Sequence, residues 1–207
     1  STYRGNALVY GRPLEQQLDL SRAAVVVALD ADFLADAPMA SAWARAFAAR
    51  HDPDGRMNRL WVAEPMQTAT GTVADEHLPI PALDVAAVAV CTLDELRARG
   101  RGTPPLAEAL VAQARTPLGA AGVAWARALA ADLDAHRGAG CVIAGSRQPP
   151  VVHALARWIA AAGGNVGGPV SFTEPALIEP LGRQTIGELV DAIGRGTVGT
   201  VVVIDCN

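Results

Sequence analysis

The residues of this 207-residue chain with the chemistry to bind or react are three cysteines, four histidines and a few polar groups that directly follow apolar runs. Cys91, Cys141 and Cys206 stand far apart, and none is half of a C-x-x-C pair. Iron–sulfur clusters and structural zinc sites need gathered thiolates, so neither is expected here; the cysteines read as buried free thiols at strand ends. His51, His77, His136 and His153 lack metal-ligand spacing as well and read as surface or loop histidines, so no metal ligand is assigned. Ser146 and His153 have no third member at a spacing that would complete a nucleophilic triad, and no catalytic residue is assigned. A complete G-x-G-x-x-G and a P-loop are both missing.

What remains is a set of short polar segments: Asp30-Ala31-Asp32-Phe33, Glu64-Pro65-Met66-Gln67-Thr68, Gly145-Ser146-Arg147 and Asp205-Cys206-Asn207. Each follows an apolar run of strand length, and in open parallel sheets ligands bind beyond the carboxyl ends of the strands. Glu64 is placed to accept hydrogen bonds from ribose hydroxyls, or else is a solvated loop carboxylate. Gly145 and Ser146 would bring backbone N–H groups to a phosphate at a helix start, or else form a tight turn with a serine cap.

The elements that must position these segments alternate along the chain. Ala7–Tyr10 is a short candidate strand, and Ala23–Leu29 is a continuous apolar run suited to a parallel strand buried on both faces. Asp36 and Pro38 open a helix with Met39, Trp43, Ala46 and Phe47 on its apolar face, ended by the turn Asp52-Pro53-Asp54-Gly55. Leu60–Ala63 and Val85–Val90 read as strands, and Thr92-Leu93-Asp94-Glu95 as the capping box of a short helix. Beyond the Arg-, Gly- and Pro-rich segment Arg99–Pro105, helices are expected over Leu106–Arg115 and Ala120–Ala135, a strand over Gly140–Ala144, and a helix over Pro150–Ala162 stopped by Gly163-Gly164. A second capping box, Thr185 with Glu188, opens a helix whose buried stripe would be Ile186, Leu189, Val190 and Ile193, before a last strand over Gly199–Ile204. The alternation predicts an α/β fold with a mainly parallel sheet covered by helices on both faces. It divides at Arg99–Pro105 into two lobes, about 1–98 and 106–207.

Composition narrows the function classes. Hydrophobic residues make up 51% of the chain and charged residues 18%, enough apolar surface for a large core and too much for disorder. The net charge is -4 and every cation is an arginine, with no basic stripe, so nucleic acid is not an expected partner. No apolar run reaches the ~18 residues of a membrane span, so no direct membrane insertion is expected. The chain starts without Met and stops just after an apolar run, which reads as a piece of a larger protein.

Several segments, in order, resemble the molybdopterin oxidoreductases. Arg59–Pro65, Thr68, Thr70, Ala74-Asp75 and Leu78-Pro79-Ile80-Pro81 are similar to that family's strand ending in Asp-Pro-Arg, its threonine loop, its Ala-Asp pair and its Pro-Gly-Thr-Asp turn. Gly140–Gly145 followed by Gly163-Gly164-Asn165-Val166-Gly167 is similar to its strand–helix–Gly-Asn-x-Gly segment, and Gly199–Asn207 to its later strand ending in a Gly-Asn-Pro loop. Within the superfamily, Leu29–Leu34 and Met57–Glu64 resemble the molybdopterin-like domain of the large iron–sulfur subunit of bacterial alternative complex III, a quinol-oxidising respiratory complex. The resemblance implies a Rossmann-like three-layer αβα fragment spanning 1–207. It implies iron–sulfur clusters elsewhere in the parent, and partners among the parent's other domains and the sister subunits of a membrane-associated complex on the periplasmic side.

Carried onto this chain, the family's cofactor-binding positions are Glu64, Thr68, Asp84, Gly145 and Ser146, with Asp84 set to read a guanine edge. The departures point to loss of the cofactor. Asp30-Ala31-Asp32-Phe33 stands in place of a Gly-Ser-Asn-Pro-like loop, Met66 in place of the arginine, and Ala82 in place of the glycine. A carboxylate about 4 Å from a phosphate costs on the order of 4 kcal/mol at an effective dielectric of 20. Two functions follow: a cofactor-free scaffold and interaction domain of an electron-transfer complex, or a molybdopterin guanine dinucleotide-binding domain of an active molybdenum oxidoreductase. A third relationship, to the central domain of thiamine-diphosphate enzymes, shares the Gly-rich strand–helix units but not the motif series.

Overall fold

The computed structural model describes residues 2–55, 57–103, 108–175 and 186–203. They form two compact units, residues 1–174 and 175–207. The first is built on a four-stranded, wholly parallel sheet in the order β4-β3-β2-β5, from β2 (Val25–Leu29), β3 (Arg59–Glu64), β4 (Glu76–Pro79) and β5 (Gly140–Ala144). β2 lies between β3 and β5 with all five residues buried, which is why its sequence is an unbroken apolar run rather than an alternating one.

Side-chain alternation along the strands divides the core into two layers. Val25, Val27, Leu29, Trp61 and Val142 face one side with α4 (Val85–Ala98), α6 (Ala120–Ala135) and α7 (Pro150–Ala162). Val26, Ala28, Leu60, Val62 and Ile143 face the other with Phe47 of α2 (Ala40–Ala48) and Val170 of β6 (Val170–Thr173). The result is a three-layer α/β, Rossmann-like fold, as expected. α1 (Thr2–Tyr10) packs on α7 so closely that a Cβ on Gly5 would stand 2.4 Å from the Cβ of His153. β1 (Glu15–Leu18) pairs with β6 as a separate antiparallel ribbon. The short helices α3 (Ala69–Thr72) and α5 (Glu108–Gln113) also belong to this unit.

The expected strands at Ala23–Leu29, Leu60–Ala63 and Gly140–Ala144 are present, as are the helices over Ala120–Ala135 and Pro150–Ala162. Two expected strands are helices instead. Ala7–Tyr10 ends α1, and Val85–Val90 begins the fourteen-residue α4, so Thr92 is not a cap: its hydroxyl donates to the carbonyl of Val88 one turn back, at 2.9 Å. Short apolar runs suit a buried helix as well as a strand, and here the three-helix layer of α4, α6 and α7 accepts an all-apolar surface. Cys91 accordingly lies in a helix, half-buried, rather than at a strand end.

The chain divides into its compact units after Glu174, not at Arg99–Pro105. β5, from beyond that segment, enters the sheet beside β2, so the two expected lobes share one sheet and one core; residues 104–107 lie outside those described. In the second unit, α8 (Ile186–Gly194) forms where expected, but Ile186, Val190 and Ile193 are exposed rather than buried. Residues 199–203 lie in no strand, because a strand forms only where its amides find a neighbour's carbonyls. Ile204, Asp205, Cys206, Asn207 and Thr185 lie outside the described residues. No helix among the described residues is long and apolar enough to cross a membrane.

One buried acid ties β3 to α6. Asp132, 8% exposed, accepts the indole N–H of Trp61 at 2.8 Å, pairs with Arg59, and stands 3.0 Å from Nδ1 of His136. Asp132→Ala would strand the buried indole donor, and we expect a loss of about 2 kcal/mol in urea unfolding, with Asp132→Asn losing less because it retains an acceptor.

Candidate functional site

The chain order of the sheet decides where a site can lie. From β2 the chain moves outward through β3 to β4, then returns to β5 on the opposite side of β2. The loops after β2 and β5 therefore leave in opposite senses and open a crevice between them. A cavity of about 470 Å³ occupies this place. Its lining includes Asp30, Asp32 and Phe33 after β2, Met66 and Thr68 after β3, Gly145, Ser146 and Arg147 after β5, and Arg157 of α7.

Three of the five sequence-derived candidates, Thr68, Gly145 and Ser146, thus meet at one cavity. Glu64 lies behind them, fully buried, and is not a solvated loop carboxylate. Its Oε1 accepts the backbone N–H of Thr68 at 2.9 Å and lies 3.1 Å from Nε2 of His77, while Oε2 accepts the Thr68 hydroxyl at 2.8 Å. The Thr68 hydroxyl oxygen in turn caps α3 by accepting the N–H of Gly71 at 3.1 Å. Glycine is required at 71, since a Cβ there would fall 1.8 Å from Oε1 of Glu64. Asp84 is the N-cap residue of α4, makes no side-chain cap bond, and is not part of the cavity lining.

The loops after β2 and β5 also make direct contacts with each other. Asp30 adopts a left-handed backbone, φ 52°, and its Oδ2 accepts the side-chain amide of Gln148 at 2.7 Å. Gln148, 3% exposed, also points its amide at the carbonyl of Ala82 at 3.4 Å, joining three loops. Asp32 accepts both the N–H of Thr70, at 2.9 Å, and its hydroxyl, at 2.7 Å. The N–H of Gly145 donates to the carbonyl of Leu29 at 2.9 Å, extending the sheet. Ser146 and Arg147 remain exposed at the rim. Phe33 is 1% exposed and packs edge-on against Phe47, with ring centres 6.2 Å apart.

Comparison with known protein families and with curated proteins finds no match for this chain.

Sequence reasoning missed Arg157, Asn6 and Gln148. Arg157 is 1% exposed; its Nε donates to Oδ1 of the buried Asn6 at 2.7 Å, and its guanidinium lies over the ring of Phe172 at 5.8 Å. Burial lowers its pKa to about 10, so it remains charged at neutral pH. The signal was present in Pro150–Ala162, where Arg157 and His153 interrupt an otherwise apolar helix. His153, expected on the surface, is fully buried one turn before Arg157. Cys141 is a buried thiol raised to about 12 by desolvation, and so is unreactive as a nucleophile.

Proposed function

We propose that this domain is a cofactor-free scaffold and interaction module of an iron–sulfur subunit resembling those of the molybdopterin oxidoreductases, within a respiratory electron-transfer complex. The observation that supports this reading is the internal satisfaction of the strand-end groups. The amides of Thr68, Thr70 and Gly145 are each taken by an acceptor of the chain itself. Asp30 and Asp32 place two carboxylates on the cavity wall where a pyrophosphate would pass. A guanine dinucleotide would therefore meet occupied donors and like charge, at a cost the loops do not offset. The residues present do not fit that group. With its strand-end loops committed to one another, the domain's role is to hold a rigid sheet against the parent's other domains and sister subunits.

The alternative, a working molybdopterin guanine dinucleotide domain, draws on Arg147 and Arg157, the two cations of the same lining. Acid treatment of the purified parent protein separates the two readings. The scaffold reading expects neither GMP nor oxidised-pterin fluorescence above background. Stoichiometric release of both would refute it.

A further inference from the structure

The geometry points to the cavity between the β2 and β5 loops as a binding site for a small organic monocarboxylate, held by the Arg157 guanidinium. This goes beyond the scaffold reading and does not depend on it. The argument begins with the cost of burying Arg157, 1% exposed in the second turn of an apolar helix. An isolated charge out of water carries a penalty of several kcal/mol unless it is paired. Among the described residues Arg157 meets neutral groups: the amide oxygen of Asn6, the carbonyl of Val142 at 3.4 Å and the ring of Phe172, with Tyr10 close by. Among the described residues it takes part in no ion pair. Yet it borders the cavity, so a carboxylate entering there would supply a counter-charge for the guanidinium.

The rest of the lining selects among anions. Phe33, Pro38, Trp43 and Ile143 give the cavity an apolar wall for the body of a ligand. Glu15, Asp30, Asp32 and Asp36 share the same lining and oppose a phosphate or a second negative charge. A volume of about 470 Å³ accommodates a single small molecule rather than a dinucleotide. One negative charge on an apolar body satisfies all three conditions.

The test uses 3-phenylpropionate, its neutral counterpart 3-phenylpropanol, and inorganic phosphate, each titrated into the full chain by protein-observed NMR. We expect the acid to bind at least tenfold more tightly than the alcohol, with shifts confined to the cavity residues. In Arg157→Met that preference should vanish, and in Arg157→Lys it should persist in weakened form. Should Arg157→Met fail to fold, the acid-to-alcohol ratio in the unsubstituted chain decides. Equal binding of acid and alcohol, undiminished acid binding in Arg157→Met, or no acid binding at all would overturn the proposal. Phosphate binding more tightly than the acid would overturn the ligand class. Because none of these readouts involves pterin or GMP, failure here is distinct from failure of the scaffold reading.

Discussion

Gly145→Ala is expected to destabilise the first unit by about 3 kcal/mol or more, at the upper end of what overpacking costs. A Cβ at position 145 would stand 1.7 Å from the carbonyl oxygen of Asp30 and 2.6 Å from its carbonyl carbon. Both obstacles are backbone, so no rotamer change relieves the clash. Separating the two loops would stretch the bond from Gly145 N–H to Leu29 O at the end of the β2–β5 ladder, where Leu29 faces Ala144. It would also pull Asp30 from Gln148. Urea unfolding should show a lowered midpoint with an unchanged slope, the sign of a destabilised native state rather than an altered denatured one. Asp30→Gly in the same chain should recover part of the loss, because glycine at a position of φ 52° lets the peptide turn its carbonyl aside. A loss below about 1 kcal/mol would mean the two loops separate more freely than their contacts imply.

The second large effect depends on pH. His153 is completely buried beneath α1, and burial first, then the positive charge of Arg157, push its pKa down to about 4 from 6.5. Above pH 6.5 the ring is neutral both folded and unfolded, so it places no proton-linked burden on folding. As pH falls from 6.5 towards 4, the unfolded chain takes up a proton that the folded one refuses, and stability declines. Below the folded value the loss levels off on the order of 3 kcal/mol, at 1.36 kcal/mol for each unit of pKa difference. Carboxylates titrate in the same window, so the measurement is the stability of the unsubstituted chain minus that of His153→Leu, compared at neutral pH and near pH 4. That difference should move by roughly 2–3 kcal/mol against the unsubstituted chain on acidification. An unchanged difference would show that His153 accepts its proton in the fold.

The connection between these two positions and the cavity is mechanical. Gly145 allows the β5 loop to close against Asp30, and His153 lies one helical turn from Arg157 on α7. The packing that forces glycine at 5 sets α1 against α7, where Asn6 then holds the guanidinium. A change at either position is therefore felt at the cavity lining.

How much of this was legible in the sequence follows from burial. β2 and β5 are covered on both faces, so their composition alone, Val-Val-Val-Ala-Leu and Gly-Cys-Val-Ile-Ala, marks them as parallel strands buried on both faces. α7 was legible because Pro150 begins it, Gly163-Gly164 ends it, and thirteen residues exceed any strand here. Glu64, Gly145 and Ser146 were legible from their place at the carboxyl ends of such runs, and Thr68 from the loop that follows. Val85–Val90 was not legible as helix, since six apolar residues satisfy either period and only packing against α6 and α7 chooses between them. The polar strand β1, Glu-Gln-Gln-Leu, carries no apolar signal because its order comes from pairing with β6, a residue-to-residue match 150 positions away in the chain and more. What the candidate site contains was decided by the tertiary structure. Residue type placed Glu64 at a strand end, but only the fold turned its carboxylate inward onto Thr68 and His77. Arg157 looked like any helix arginine until α1, β5 and β6 closed around it, because a side chain's partners are chosen by the elements that surround it, and those come from distant parts of the chain.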